Sequence, residues 1–276
     1  MARLARFGWW ILAGVLVLAS SRTAEATTFR EVPFPLRGKT LTLTIYYPAR
    51  QPLGTIFMGS GDVGWVGLAV STAEYLSDNG YLVIGVNVRQ YLGVFTDGRK
   101  HLTVADLPSD FRAMAEFLRS QHLLFSPVIM SGVSEGAALA VAAASDPRNH
   151  DWIDGVVTMG IPRVAELAWK WTDFTSWITK KDADEPSFKP YEYMAGIAPV
   201  PLVMIQSRKD EYVPESDYQE CHANAKEPKK LVLIDASNHR FTDRKAELRR
   251  EYLGAVKWVL DARAVPGVPK SGAARQ

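Results

Sequence analysis

The sequence contains one cysteine, Cys221, in 276 residues. An intramolecular disulfide therefore cannot form, and a zinc site built from several cysteines is excluded. The five histidines are scattered along the chain, with no HExxH pattern or other close spacing typical of metal ligands. We therefore expect a fold that rests on a packed hydrophobic core, with no metal ion and no resident cofactor.

A large surplus of charge is also missing, because 32 basic and 30 acidic residues give a formal net charge of +2. This small surplus belongs to residues 1–26, which carry Arg3, Arg6, Arg22 and one acid, Glu25. Without that segment the chain is formally neutral. A nucleic-acid partner therefore lacks an electrostatic basis.

A long hydrophobic run is absent as well. The apolar stretch from Phe7 to about Ala19 is shorter than the roughly 20 residues that a membrane-spanning helix needs. It follows two arginines and precedes Ala24-Glu25-Ala26, a small-x-small cleavage pattern. We predict a cleaved signal peptide over residues 1–26 and a periplasmic or secreted protein. An uncleaved membrane anchor is the alternative.

The remaining chain shows the pattern of a single α/β domain over residues 27–261. The stretch "FREVPFPLRGKTLTLTIYYPA" alternates apolar and polar residues around Arg37-Gly38-Lys39 and predicts an antiparallel hairpin. Continuously apolar runs follow, among them "YLVIGVNV", "SPVIMSG" and "VPLVMIQS", and most are separated by segments of helical period. This alternation predicts a mostly parallel sheet with helices on both faces. Residues 262–276, rich in Ala, Pro and Gly, predict a disordered tail.

One insertion, at about residues 162–198, interrupts this alternation. Its stretch "PRVAELAWKWTDFTSWIT" places apolar residues at helical spacing from Val164 to Ile178. Either it forms an extra helix packed on the core, or it forms a cap whose aromatic side chains line a substrate pocket. In the second interpretation Trp171 and Trp177, together with Trp65, are candidate substrate-binding residues.

The pentapeptide Gly132-Val133-Ser134-Glu135-Gly136 follows an apolar strand and opens an Ala-rich helix. This GxSxG context is typical of a nucleophile elbow, which exposes a serine hydroxyl above the sheet. Such a serine needs an imidazole base that is oriented by a carboxylate. Asp210 follows the apolar run "VPLVMIQS" and His239 follows the next one, "KLVLIDAS", which is the required order, with Glu211 and Asp235 as rival acids. His222 lies in a predicted helix, where a surface role is expected.

The stretch "GTIFMGSGDVGW" contains a GxGxxG, which also occurs in dinucleotide-binding folds. Such a fold needs an acid at the end of the next strand, but that strand ends in Asn87 and Arg89. We therefore interpret the loop as one side of an oxyanion hole. Gly61 or Asp62 would supply one backbone N–H, and Glu135 would supply the other.

The stretch "GSGDVGWVGLAVSTAEYLSDNGYLVIGVNVRQYL" resembles the opening of the VirJ/AcvB virulence-protein family of secreted bacterial hydrolases, and the likeness continues weakly to "SNHRF". The resemblance implies an α/β-hydrolase fold and a Ser134–Asp210–His239 triad. It also implies hydrolysis of aminoacyl-phosphatidylglycerol at the periplasmic membrane surface. Glu135 departs from the family pattern, in which an aromatic residue usually follows the serine.

These observations predict a serine hydrolase that cleaves a carboxylic ester through an acyl-enzyme, acting on a small-molecule or lipid ester. A general esterase or peptidase is one alternative, and a non-catalytic periplasmic partner of a secretion system is another. Asp62 and Glu135 suggest a further hypothesis, because two acids beside the oxyanion hole would attract an ammonium group on the substrate. Local roles at the starts of their helices are the alternative for both acids.

Overall fold

The computed structural model describes residues 28–97, 100–169 and 186–264. The predicted signal peptide lies outside the described residues. Within these ranges the strands are β1 (Thr28–Leu36), β2 (Lys39–Tyr47), β3 (Thr55–Gly59), β4 (Leu82–Val86), β5 (Val128–Val133), β6 (Gly155–Met159), β7 (Ala165–Glu166), β8 (Ser187–Phe188), β9 (Leu202–Ser207) and β10 (Lys229–Ile234). The α-helices are α1 (Leu68–Asp78), α2 (Val88–Phe95), α3 (Asp106–Ser120), α4 (Glu135–Ala144), α5 (Glu215–Asn224) and α6 (Lys245–Arg263).

The main sheet has eight strands in the order β1-β2-β4-β3-β5-β6-β9-β10. Strand β2 pairs antiparallel with β1 and with β4. All other pairs in this sheet are parallel. The predicted mostly parallel sheet with an N-terminal antiparallel hairpin is therefore confirmed.

The hairpin between β1 and β2 closes through a two-residue turn. Leu36 pairs with Lys39, and the two residues between them, Arg37 and Gly38, have φ angles of 48° and 75°. Positive φ at both central positions is the geometry that matches the twist of adjacent antiparallel strands. The turn that the sequence predicts at this position is therefore present.

Helices cover both faces of the sheet. Strands β3, β4, β5, β6 and β9 are buried at every position, as expected for parallel strands enclosed by two layers. Leu76 of α1 and Val256 of α6 belong to one buried cluster, whereas Met114 of α3 and Leu139 of α4 belong to the other. The carboxyl ends of the parallel strands lie along one edge, so residues that directly follow them come together there.

The described ends of the insertion pack on the core. Ala165 of β7 pairs with Phe188 of β8, and both residues are buried. The helix predicted from Val164 is therefore not present at its start, because the backbone there pairs with a second strand. The Arg89 guanidinium lies over the Trp169 ring, with its Cζ atom 4.1 Å from the ring centroid. Trp171 and Trp177 lie outside the described residues, and their role in substrate binding stays a prediction.

Helix α6 extends to Arg263, two residues beyond the domain end predicted at residue 261. The extension has a structural cause, because the Arg263 side chain is buried and donates a 3.0 Å hydrogen bond to the His150 carbonyl. None of the helices in the three described ranges combines the length and apolar character needed to cross a membrane.

Candidate active site

Ser134 lies on a sharp turn between β5 and α4. Its φ and ψ angles are 53° and −119°, a conformation that costs a non-glycine residue about 1–3 kcal/mol. The Ser134 N–H donates a 3.0 Å hydrogen bond to the Met159 carbonyl, and the Ser134 carbonyl accepts from Ala137 and Ala138. This strained strand-to-helix turn has the geometry of a nucleophile elbow.

The glycines of the GxSxG sequence allow three backbone segments to approach closely. A Cβ atom added to Gly132 would lie 2.1 Å from the Gly136 carbonyl carbon. A Cβ atom added to Gly136 would lie 2.4 Å from the Gly59 carbonyl carbon and 2.5 Å from the Ser60 carbonyl oxygen. Since all these contacts are with backbone atoms, side-chain rotation cannot relieve them. The start of α4 is therefore held against the end of β3.

We expect Gly136→Ala to lower the free energy of unfolding by about 3 kcal/mol, because overpacking against fixed backbone typically costs this much. Gly254→Ala is a suitable control. Gly254 is an exposed residue of α6, and an added Cβ would meet no atom within 4 Å. Alanine at such a position should stabilise the protein by about 1 kcal/mol. Urea denaturation of both variants measures the two changes, and a Gly136→Ala protein as stable as wild type would contradict the close packing of the elbow.

His239 and Asp210 form a hydrogen-bonded pair at the carboxyl ends of β10 and β9. Asp210 Oδ2 lies 2.6 Å from His239 Nδ1, and the Asp210 side chain is fully buried. The other Asp210 oxygen, Oδ1, accepts hydrogen bonds of 2.9 Å from the backbone N–H groups of Tyr212 and Val213. These bonds fix the carboxylate, which in turn orients the imidazole.

The two rival acids have other partners. Glu211 Oε2 accepts a 2.7 Å hydrogen bond from the His239 backbone N–H. Asp235 is exposed and pairs with Lys209 at 3.2 Å. Asp210 is therefore the acid among these three that binds the imidazole ring, while Glu211 holds the loop that carries His239.

Gly160, the residue after β6, connects the serine turn to the imidazole. Ser134 is hydrogen-bonded to the carbonyl of Met159, the residue before Gly160. A Cβ atom added to Gly160 would lie 2.6 Å from His239 Cε1 and 3.3 Å from Nε2. The imidazole therefore packs directly on Gly160, one residue from the backbone group that binds Ser134.

The surroundings of His239 favour a basic imidazole. Burial alone would lower the pKa of His239, but the hydrogen bond to Asp210 and the charges of Asp210, Glu135 and Glu211 together raise it above the ordinary value. The neutral form of His239 therefore becomes predominant at a higher pH than for an ordinary histidine. In that neutral form the imidazole is a stronger base than usual.

The GxGxxG loop wraps over the serine turn. A Cβ atom added to Gly61 would lie 3.6 Å from Ser134 Cβ. Gly64 has a φ of 92° and donates a 3.1 Å hydrogen bond to the Gly61 carbonyl, which closes a tight turn. The Asp62 N–H faces Glu135 and lies 3.3 Å from its Oε2. Gly61, Asp62 and Glu135, the predicted oxyanion-hole residues, thus lie beside Ser134.

Trp65, Cys221 and His222 also had candidate or alternative roles in the sequence, and each has a defined position in the structure. The Trp65 ring packs on Gly85 of β4, and its Nε1 donates a 3.2 Å hydrogen bond to the Tyr46 hydroxyl. A substrate contact by Trp65 stays a prediction. Cys221 is buried, and burial raises the pKa of its thiol to about 12, which disfavours a thiolate nucleophile. His222 lies in α5, as predicted.

A model of the family described as "Bacterial virulence protein (VirJ)" matches residues 54–258 of the chain. The chain belongs to the VirJ family. The match covers β3 through most of α6 and includes Ser134, Asp210 and His239. A curated relative of this VirJ-family chain, the uncharacterized protein YfhR of Escherichia coli strain K12, is 32% identical over 80 residues. That match spans only 28% of each protein.

Solved structures share the fold of this VirJ-family chain. The esterase domain of a Rhodothermus marinus protein aligns with a TM-score of 0.57 and 19% identity, over 86% of this chain and 99% of that domain. A dienelactone hydrolase from Anabaena variabilis aligns with a TM-score of 0.58 and 16% identity, over 85% of this chain and 99% of that chain. The fold is therefore the α/β-hydrolase fold, as predicted.

Proposed function

We propose that the protein is a serine hydrolase that cleaves a carboxylic ester through an acyl-enzyme. His239 Nε2 accepts the Ser134 proton as Oγ attacks the ester carbonyl carbon, and Asp210 stabilises the imidazolium. Backbone N–H groups of the loop at Gly61 and Asp62 and of Glu135 bind the oxyanion. As the intermediate collapses, His239 returns the proton to the leaving alcohol. Water, activated by His239, then hydrolyses the acyl-enzyme.

One observation carries this proposal. His239 is hydrogen-bonded to the buried Asp210 and packs on Gly160. Ser134, on its strained turn, donates a backbone hydrogen bond to the carbonyl of Met159, the residue before Gly160. Residues from three distant parts of the sequence thus lie at one edge of the sheet, which supports the proposal. The α/β-hydrolase fold places its nucleophile, acid and base at this edge in the same chain order.

The surroundings of the site favour a lipid ester as the substrate. Val63 and Val66 are exposed in the loop over Ser134, and Tyr212 is exposed with its ring centroid 5.5 Å from that of His239. Exposed apolar side chains around a site are typical of contact with a membrane or an apolar ligand. Together with the family resemblance, they support an aminoacyl-phosphatidylglycerol as the substrate, reached from the periplasmic side of the membrane.

Hydrolysis of this lipid can be measured directly. Purified protein should convert lysyl-phosphatidylglycerol in mixed vesicles to lysine and phosphatidylglycerol, detected by thin-layer chromatography. Ser134→Ala protein is the control for spontaneous hydrolysis. Turnover of p-nitrophenyl esters without turnover of the lipid would instead identify a general esterase, and no turnover of either substrate would contradict an enzymatic function.

We further propose that Asp62 selects a substrate with an ammonium group. Its carboxylate is exposed beside the serine turn, where it accepts a hydrogen bond from the Val63 N–H. Asp62→Asn should lower kcat/KM for an alanine ester about fivefold, and leave a propionate ester of the same alcohol unchanged, because one screened charge pair contributes about 1 kcal/mol. Comparing the two esters for both proteins measures the effect, and an unchanged ratio would contradict it.

A further inference from the structure

The Glu135 side chain turns back toward Ser134. Its Oε2 atom accepts a 3.3 Å hydrogen bond from the Asp62 N–H and lies 3.9 Å from the position of a Cβ atom added to Gly61. Hydrogen bonding from the Ser134 side chain and from the backbone N–H groups of Glu135 and Asp62 lowers the pKa of this carboxyl. The Asp62 N–H that binds the carboxylate is one of the donors assigned above to the oxyanion of the reaction, and the Glu135 N–H, the other donor, belongs to the same residue as the carboxylate.

We infer that the Glu135 carboxylate occupies the oxyanion hole of the resting enzyme and must leave before an ester carbonyl oxygen can bind there. The inference rests on the proposed function, because it concerns the same hole. A carboxylate oxygen and the oxyanion of a tetrahedral intermediate are both negatively charged and need the same donors. Each backbone N–H provides one hydrogen, so one donor cannot fully serve both oxygens.

The electrostatic surroundings make this occupant displaceable. Burial, and then repulsion from Asp62, raise the pKa of Glu135, whereas hydrogen bonds from Ser134 and the two amides lower it by a smaller amount. Asp210 and Glu211 add negative charge around the neighbouring His239. Hydrogen bonds therefore hold the Glu135 carboxylate at a position that burial and repulsion make unfavourable. Rotation toward solvent would hydrate the carboxylate and weaken the repulsion from Asp62, which offsets part of the free energy lost with the hydrogen bonds.

Occupancy and simple charge predict different results for three substitutions. Glu135→Gln and Glu135→Ala remove the carboxylate and keep the backbone N–H of residue 135. Asp235→Asn removes an exposed negative charge that follows β10 at the same edge of the sheet, and it leaves the Glu135 carboxylate in the hole. If occupancy limits the reaction, only the Glu135 variants should react faster. If negative charge at this edge is the cause, all three variants should react faster.

The test is the second-order rate constant for phosphonylation by a small neutral fluorophosphonate, since its P=O oxygen needs the same hole. In this reaction Ser134 Oγ displaces fluoride from phosphorus, and its proton goes to His239. We expect Glu135→Ala to react at least about tenfold faster than wild type and Glu135→Gln to react faster to a smaller extent. In wild type only the molecules whose oxyanion hole is empty can react, and removal of the carboxylate increases their fraction. Asp235→Asn should stay within about twofold of wild type.

Labelling of wild type without acceleration in either Glu135 variant would overturn the inference and leave the proposed function standing. Equal acceleration by Asp235→Asn would overturn it as well. If neither wild type nor Glu135→Ala reacts, the proposed function itself fails, and the inference fails with it.

A crystal structure of the wild-type phosphonyl adduct gives a second test that does not depend on how the variants fold. We expect the phosphonyl oxygen at the Asp62 and Glu135 N–H groups and the Glu135 carboxylate rotated away. A carboxylate still bound to the Asp62 N–H in the adduct would overturn the inference.

Discussion

Ser134→Ala is expected to lower kcat for ester hydrolysis by at least about 10⁴-fold, because removal of a serine nucleophile eliminates the acyl-enzyme route. The substitution should not unfold the protein. The Ser134 hydroxyl caps no helix amide, and alanine keeps the backbone contacts to Met159, Ala137 and Ala138. Steady-state kinetics with a p-nitrophenyl ester, with thermal unfolding measured in parallel, separates lost chemistry from lost structure.

Ser216→Ala is the matched control for that experiment. Ser216 is an exposed serine in the first turn of α5, and its hydroxyl contacts only the neighbouring Asp217 among the hydrogen bonds of the described residues. It should keep wild-type kcat. Ester hydrolysis by Ser134→Ala within about tenfold of wild type would show that another group is the nucleophile.

Asp210→Asn is expected to lower kcat by about 10⁴-fold through the tautomer of His239. An asparagine can keep the acceptor at Oδ1 for the Tyr212 and Val213 amides, which places its NH₂ group toward His239 Nδ1. Nδ1 must then accept a hydrogen bond, so the ring proton moves to Nε2. An imidazole protonated at Nε2 cannot accept the serine proton.

The pH profile gives the second readout of this substitution. His239 must be neutral to act as a base, so wild-type kcat/KM should rise with pH through the raised pKa of His239 and reach its plateau above that pKa. This acidic limb should lie above the ordinary histidine value of about 6.5. Asp210→Asn removes the charge and the carboxylate hydrogen bond of Asp210, which raise the pKa of His239. The acidic limb of its residual activity should therefore lie at a lower pH than that of wild type.

Glu211→Gln is the control for Asp210→Asn. Its side-chain oxygen can still accept from the His239 backbone N–H, and the substitution also removes one negative charge near the imidazole. A loss of activity in Glu211→Gln as large as in Asp210→Asn would contradict the assignment of Asp210 as the orienting acid.

The order of elements could be predicted from the sequence because buried parallel strands are continuously apolar and turns carry distinctive residues. The predicted runs "YLVIGVNV", "SPVIMSG" and "VPLVMIQS" correspond to β4, β5 and β9, and Arg37-Gly38 forms the predicted hairpin turn. The start of the insertion could not be predicted in this way. Apolar residues at helical spacing from Val164 compete there with pairing of Ala165 to Phe188, a partner more than 20 residues away.

The positions of the candidate site residues could be predicted, but not the directions of their side chains. Asp210, Glu211 and Asp235 all follow strands, and only coordinates distinguish the acid that faces the imidazole from those that face a backbone N–H or Lys209. In the same way, the sequence places Glu135 beside the serine, but it cannot indicate that the carboxylate folds back onto the Asp62 amide. A side-chain torsion leaves no periodic pattern in a sequence.

The most direct test of the proposed enzyme is to map the covalent adduct after reaction with a fluorophosphonate, using intact-protein and peptide mass spectrometry on wild type and on Glu135→Ala. We expect a single phosphonyl group per chain, located on Ser134, and no adduct on Ser134→Ala protein. An adduct on a different residue, or the absence of any adduct on both folded proteins, would contradict the account.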